Sequence, residues 1–288
     1  MLDFPSDQPL LVFGGPYSNL RAAQAIKAVA DGLAIPPSRV ICTGDVVAYG
    51  AEPEETARLV RDWGIHVVAG NCEEQLAAGA ADCGCGFEEG STCDLLAKGW
   101  YPFANQRVTP ECRAWMAGLP STLRFRFHGL RFRVIHGGVH QVNRFVFASQ
   151  KEVLAEELAN AGADIVIAGH AGIPFVERIG GGVWFNPGVI GLPANDGTPE
   201  TWYGLIRAEG DELRLSLRRL AYDHLGAAAE MRRSGDANGY ARALVTGLWP
   251  SLDVLPPAER AATGIRIRQK TLRIAARAGA LAQLQVWS

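Results

Sequence analysis

The stretch RVICTGDVVAYGAEPEETARLVRDW, residues 39–63, decides the fold class of this chain. Its start, Arg39 to Cys42, reads as a short strand, and residues 43–50 form a loop that contains Gly44 and Asp45. A helix is predicted from Glu52 to Trp63. A strand that feeds through a short polar loop into a helix is the repeating unit of α/β proteins.

The same unit occurs on both sides of this stretch. Upstream, an apolar run at residues 10–13 is followed by a glycine-rich turn and a predicted helix over 19–33. Downstream, we expect a strand at 66–68, two alternating strands between 122 and 135, a helix at 151–161, a strand at 164–168, and hairpins near Gly180 and Gly210. This order predicts a parallel or mixed sheet with functional groups in loops at the carboxyl ends of its strands.

Two segments stand apart from this pattern. Residues 77–110 are rich in cysteine and glycine and show little periodicity, so we predict an irregular cap or insertion there. Beyond Tyr222 the strand signals stop, and residues 223–288 are predicted to form a helical C-terminal extension after a domain of residues 1–222. The helices of this extension offer a surface for a second copy of the chain or for another protein.

The composition excludes several classes of protein. The 288 residues carry 28 lysines and arginines against 30 acidic residues, and 48% are hydrophobic, which is typical of a soluble globular domain. The near-neutral charge gives no general attraction to nucleic acid or to an anionic membrane. Without a recognisable signal sequence or membrane span, we expect a cytoplasmic protein whose six cysteines are reduced.

Five loops that follow predicted strands carry polar or glycine-rich motifs. Each dipeptide alone is weak, because such turns are common, but their order is informative. They read GGPYSN at 14–19, GD at 44–45, GNCE at 70–73, HGG at 136–138 and GHAG at 169–172.

In this order the motifs resemble the calcineurin-like metallophosphoesterases, and Cys72 is similar to bacterial and archaeal phosphodiesterase branches of that family. The resemblance spans about residues 10–220 and implies a four-layer αββα sandwich of two mixed sheets. It also implies a transition metal, Mn, Fe, Zn or Ni, and no organic cofactor. The implied substrate is a phosphorylated small molecule or a phosphodiester.

Carried over by position, the resemblance implies one complete metal site. Its ligands would be Asp45, Asn71, His136 and His170. The second site of the family shares Asp45, but its other three positions hold Gly15, Tyr17 and Gly172. A glycine offers no side-chain ligand, and a tyrosine coordinates well only as a phenolate. We therefore predict an altered centre that holds a single metal.

The remaining candidates concern substrate and proton transfer. The family's catalytic histidine is replaced by Cys72, so the resemblance assigns catalysis to Cys72, Asn71 and His136. A thiol is a poorer general acid than an imidazolium near pH 7, so substrates with good leaving groups are expected. Tyr17, Asn19 and His140 are further candidates for substrate contact or for the second site. Each of them could instead have an ordinary structural role, as a turn, cap or surface residue.

Two other functions remain open from the residues. Cys72, Cys83, Cys85 and Cys93 fall within 22 residues and could hold zinc or an iron–sulfur cluster, although the spacing lacks a C-x₂-C pair. Such a module would carry metal or redox chemistry on the same scaffold. Alternatively, the lost ligands indicate a catalytically silent phosphoesterase fold that serves as a binding or scaffold protein.

Overall fold

The computed structural model of the chain describes residues 2–235 and 239–275. Two six-stranded mixed sheets face each other, and helices cover the outer face of each sheet. The predicted four-layer αββα sandwich is confirmed. In the described part of the chain, no helix has both the length and the apolar character needed to cross a membrane.

The first sheet has the strand order β12-β11-β10-β2-β3-β4. Its strands are β2 (Leu10–Phe13), β3 (Val40–Cys42), β4 (His66–Val67), β10 (Thr201–Glu209), β11 (Glu212–Leu220) and β12 (Thr271–Ala275). Strands β2, β3 and β4 run parallel, whereas β10, β11 and β12 are antiparallel to their neighbours.

The second sheet has the order β1-β5-β6-β7-β9-β8. Its strands are β1 (Leu2–Phe4), β5 (Leu123–Phe127), β6 (Leu130–Ile135), β7 (Ile165–Ala168), β8 (Phe175–Ile179) and β9 (Gly182–Asn186). Strands β6, β7 and β9 run parallel. The carboxyl ends of β6 and β7 therefore lie at one edge of this sheet, where the predicted histidine motifs begin.

Nine helices are assigned in the described residues. They are α1 (Leu20–Gly32), α2 (Pro53–Trp63), α3 (Asn71–Ala78), α4 (Thr92–Arg107), α5 (Pro110–Ala117), α6 (Lys151–Ala161), α7 (His224–Arg233), α8 (Tyr240–Thr246) and α9 (Pro257–Ala261). Helices α1, α2, α7 and α8 pack on the first sheet, and α6 packs on the second.

Strand β2 packs against both the core between the two sheets and the outer layer of helices. Leu10 and Val12 face the core between the two sheets, and Leu11 and Phe13 face the helical layer, because side chains alternate along a strand. All four residues are fully buried. A strand that is covered on both faces reads as a continuous apolar run, which is the pattern seen in the sequence.

Two sequence predictions are wrong in part. The segment 77–110 is not irregular throughout, because residues 92–107 form α4, a helix that tolerates Pro102 in its interior. The extension after Tyr222 is not wholly helical either, because β12 pairs with β11 and lengthens the first sheet. Part of the predicted extension, residues 276–288, lies outside the described residues.

Candidate metal centre

Asp45 lies in the tight turn that follows β3. Its backbone has a φ of 56°, and the preceding Gly44 has a φ of 91°, so the chain reverses sharply and points the carboxylate at the edge between the sheets. Its Oδ1 accepts a hydrogen bond from the main-chain N–H of Cys72, at the start of α3, over 3.3 Å. The positive end of that helix favours a carboxylate at this position.

Glu73 holds this turn in place from inside the protein. Its two carboxylate oxygens accept hydrogen bonds from the main-chain N–H groups of Asp45 (2.7 Å), Val46 (2.8 Å) and Gly70 (2.9 Å). The side chain is fully buried, and burial together with the Asp45 charge raises the pKa of Glu73 to about 7. Sequence reasoning missed this role; its signal was the acid three residues after Gly70, where a capping box places one.

His136 follows β6 and turns one ring nitrogen toward Asp45. Its Nδ1 is 2.6 Å from the main-chain oxygen of Thr43, so Nδ1 carries the proton that this hydrogen bond requires. Its Nε2 lies 3.2 Å from Asp45 Oδ2. Burial alone would lower the pKa of His136, but the adjacent Asp45 carboxylate raises it above its ordinary value. Fixing of one ring nitrogen by a carbonyl group is common for histidine ligands of metals.

His170 follows β7 and completes a compact group of acceptors. Its Nδ1 lies 3.0 Å from His136 Nε2 and 3.9 Å from Asp45 Oδ2. Burial lowers the pKa of His170, so its ring is neutral near pH 7, whereas His136 and His170 hold the pKa of Asp45 far below the ordinary value against the opposing effect of burial. The Asp45 carboxylate oxygen and the two histidine ring nitrogens all carry lone pairs, so they lie this close together favourably only with a proton or a cation between them.

Asn71 is the fourth candidate ligand. Its amide nitrogen donates to the main-chain oxygen of Cys83 over 2.8 Å and contacts the Cys85 thiol at 3.3 Å. Its amide oxygen is buried and has no hydrogen-bond partner among the described residues. A buried acceptor without a partner is costly unless a ligand satisfies it.

These four residues fit a transition metal. Ligand atoms of Asp45, His136 and His170 all lie within 4.8 Å of one another, and theirs is the only group of three or more acidic, histidine or cysteine residues with such spacing over residues 2–235 and 239–275. A carboxylate, two imidazoles and the amide oxygen of Asn71 suit Mn, Fe, Zn or Ni.

Aromatic rings lie beside Gly15 and Gly172, two of the positions where the family resemblance implied ligands of a second site. The Tyr17 ring lies 2.5 Å from where a β-carbon on Gly15 would be, so a longer side chain at 15 would collide with it. Burial and the Asp45 charge raise the pKa of Tyr17 well above 10, so the phenol stays neutral and is a poor ligand. At Gly172, a β-carbon would meet the Trp249 ring at 3.3 Å. Trp249 was not among the residues singled out from the sequence.

The four clustered cysteines separate into two places. Cys72 and Cys85 both lie beside the Asn71 amide, and Asn71 also bonds to the Cys83 backbone. Cys93 is elsewhere, with its thiol 3.4 Å from the Ser251 hydroxyl. The hydrogen bond with the Cys85 thiol lowers the pKa of Cys72, but burial and the Asp45 charge together raise it well above its ordinary value, so Cys72 is a neutral thiol.

The structure gives the other two predicted contact residues, Asn19 and His140, different surroundings. Asn19 caps α1 by accepting from the Ala22 N–H, and its amide nitrogen donates to the Gly191 carbonyl group. His140 is exposed and lines a surface cavity on the other side of His136. Tyr17, by contrast, lines a pocket that contains His170.

Comparison with known proteins agrees with this fold. An uncharacterized protein of Methanocaldococcus jannaschii is 23% identical over 229 residues, which cover 74% of this chain and 88% of that protein. A metallophosphoesterase from Sphaerobacter thermophilus has the same fold, with a TM-score of 0.66 and 20% identity over 84% of this chain and 99% of that one. A hypothetical protein from Pyrococcus horikoshii OT3 has a TM-score of 0.70 and 15% identity over 83% and 98% of the two chains.

The family model named calcineurin-like phosphoesterase superfamily domain matches residues 18–210, which include all four candidate ligands. The described part of the chain has the two-sheet fold of the metallophosphoesterases, and its site has an Asp/His/His group that could hold a metal. The chain belongs to the calcineurin-like phosphoesterase superfamily.

Proposed function

We propose that this protein is a phosphoesterase that uses one metal ion, held by Asp45, Asn71, His136 and His170, to hydrolyse a phosphate ester. The unpartnered amide oxygen of Asn71 carries the proposal, because it is a buried acceptor without a hydrogen-bond partner among the described residues, and the next residue, Cys72, contacts Asp45 through its main-chain N–H. When bound, a transition metal supplies Lewis-acid charge neutralisation and a more acidic water.

The chain's own residues do the positioning. The Thr43 carbonyl group fixes the ring of His136, and the Cys72 N–H and the Glu73 carboxylate fix the turn that carries Asp45. The Cys72 side chain, a neutral buried thiol, is a weak proton donor at pH 7. We therefore expect esters whose leaving group needs little protonation to react fastest.

The experiment is metal content followed by activity. The protein is purified without chelators, its metal is measured per chain by elemental analysis, and a panel of phosphate mono- and diesters is assayed with added Mn, Fe, Zn or Ni. We expect about one metal per chain, and loss of both metal and hydrolysis in Asp45→Ala and His170→Ala. His66→Ala is the matched control, because His66 lies on the edge strand β4, where its ring contacts the Ser38 carbonyl group and the Phe4 ring.

A protein that binds its metal and hydrolyses none of these esters would contradict the proposal. The alternative is then a binding or scaffold protein, which is favoured by the aromatic rings of Tyr17 and Trp249 at the second site. Its partner, a second copy of the chain or another protein, would use the C-terminal helices, where Leu225 is exposed. Light scattering and pull-downs with the full chain would identify such a complex.

A further inference from the structure

An apolar pocket opens directly beside His170. Its rim consists of aromatic side chains from three separate parts of the chain: Phe87 before α4, Phe145 after β6, and Trp249 after α8. Phe145 lies 4.2 Å from the His170 ring between centroids, and Phe87 stacks on Phe145 at 6.3 Å. The pocket is therefore built by the cap segment and the C-terminal extension together.

The segments on either side of the pocket are tied to each other. The main-chain N–H of Thr92 donates to Asp253 over 2.7 Å, and the Cys93 thiol contacts the Ser251 hydroxyl. The Trp249 indole N–H donates to the Pro193 carbonyl group over 2.6 Å, so the ring has a fixed orientation against Gly172. These contacts hold an aromatic wall in place beside a candidate metal ligand.

The pocket offers no cation to a highly charged ligand. Apart from His170, none of its lining side chains is ionisable as a base. The nearby Arg144 is paired with Glu156 at 2.9 Å and with Glu157 at 2.6 Å. In the cavity on the other side of His136, Arg133 donates to the main-chain oxygens of Ala161 and Val139.

Charge balance therefore limits the substrate. A divalent ion with Asp45 leaves one net positive charge, which matches a phosphodiester with its single negative charge. A phosphomonoester carries close to two negative charges at neutral pH, and the second would be buried without a partner.

We propose that the pocket formed by Phe87, Phe145 and Trp249 binds the aromatic ester group of a phosphodiester. This deepens, and rests on, the proposed function. A phosphate at the Asp45, His136 and His170 group would place one of its ester substituents in this pocket, since His170 belongs to both. In hydrolysis, the oxygen of a water adds to phosphorus and the P–O bond to the aromatic group breaks. The leaving oxygen takes a proton and the other product is the phosphomonoester.

Binding measured by calorimetry tests the pocket separately from catalysis. Three phosphonates are titrated into the metal-loaded protein at pH 8: phenyl methylphosphonate, a monoanion with a ring; ethyl methylphosphonate, a monoanion without one; and phenylphosphonate, a dianion. We expect the first to bind about tenfold more tightly than either of the others, from stacking and from matched charge. A nucleoside methylphosphonate distinguishes a nucleobase from a simple ring, and tighter binding than the ethyl compound supports the pocket in either case.

The decisive variant is Phe87→Ala, because Phe87 lies on the rim and does not contact the candidate ligands. Its affinity for the phenyl compound should fall about fivefold, whereas its affinity for the ethyl compound stays unchanged. Phe103→Ala is the matched control, since Phe103 lies on α4 outside this pocket. Equal affinities for the phenyl and ethyl compounds, or equal effects of the two variants, would overturn the proposal.

The experiments distinguish failure of the pocket proposal from failure of the proposed phosphoesterase function. Equal binding of the phenyl and ethyl phosphonates, together with metal-dependent hydrolysis of phosphate esters, removes the pocket and leaves the phosphoesterase. Selective binding of the phenyl phosphonate with no hydrolysis of any ester supports the pocket and removes the phosphoesterase.

Discussion

The substitution Asn71→Ala distinguishes the effect of Asn71 on the stability of the metal-free protein from its effect on metal binding. In the metal-free protein, the substitution removes the hydrogen bond to the Cys83 carbonyl group, which is worth about 1 kcal/mol, and the weaker contacts of the same amide nitrogen to the Cys72 and Cys85 thiols. It also removes the buried amide oxygen that has no partner, which relieves about 1–3 kcal/mol. The two effects have opposite signs, so we expect the unfolding free energy of the metal-free protein to change by no more than about 1–2 kcal/mol.

In the metal-loaded protein the same substitution should be costly. A ligand at 100 times its dissociation constant stabilises a protein by about 2.7 kcal/mol. If loss of the amide oxygen weakens affinity about 100-fold, the upper end for loss of an outer-sphere partner, the same metal concentration gives only about 0.4 kcal/mol. The metal-dependent part of the stability should therefore fall by about 2.3 kcal/mol.

The assay is urea unfolding of each variant with and without metal, after calorimetry has fixed the dissociation constant of the unaltered protein. Asn160→Ala is the matched control, because Asn160 is exposed on α6 and bonds only to the Glu156 carbonyl group. If Asn71→Ala keeps the full metal-dependent stabilisation, the amide oxygen is not a ligand and the four-residue site is refuted.

Three further substitutions test other parts of the reasoning. Cys72→Ala should leave metal affinity within about threefold by calorimetry, because the contact to Asp45 comes from the main-chain N–H and not from the thiol; a complete loss of metal would instead make the thiol a ligand. Gly172→Ala should lower the unfolding free energy by about 1–2 kcal/mol in urea, since its φ is +72° and the Trp249 ring lies 3.3 Å from the added carbon; no loss would mean that the ring does not fill this position. Asn19→Ala should lower the unfolding free energy by about 1–2 kcal/mol, because a helix cap is lost, and should leave metal content and hydrolysis unchanged. A selective loss of activity would instead show that Asn19 contacts the substrate.

Local patterns predicted most of the fold correctly. The helix over 151–161 and the hairpins near Gly180 and Gly210 are confirmed, because the signals for those elements lie within a few residues of one another. Helix α4 was missed because its glycine and Pro102 weaken the helical signal, and packing on neighbouring helices outweighs that weakness. Strand β12 was missed because its partner, β11, is about 50 residues away in the chain.

The same distinction between local and distant sequence signals applies to the residues of the candidate site. Asp45 and the two histidines each follow a strand, so their motifs could be read one at a time, and the structure brings all three together. Glu73 and Trp249 escaped notice for different physical reasons. Glu73 acts on the main chain of a distant turn, whereas Trp249 comes from a segment that the pattern of strands did not place.

The rings of Tyr17 and Trp249 pack against Gly15 and Gly172, the positions where the sequence predicted missing ligands of a second metal site. Gly15 and Gly172 have φ values of +24° and +72°, and side chains at these positions would meet the rings of Tyr17 and Trp249. The glycines and the rings therefore depend on each other, since each ring occupies the space that the missing side chain would need. It follows that restoring a single ligand, such as an aspartate at 15, cannot rebuild a second metal site. The rings of Tyr17 and Trp249 fill the space beside Gly15 and Gly172, whereas the buried amide oxygen of Asn71 has no partner among the described residues. This packing is expected of a single-metal site beside an apolar pocket.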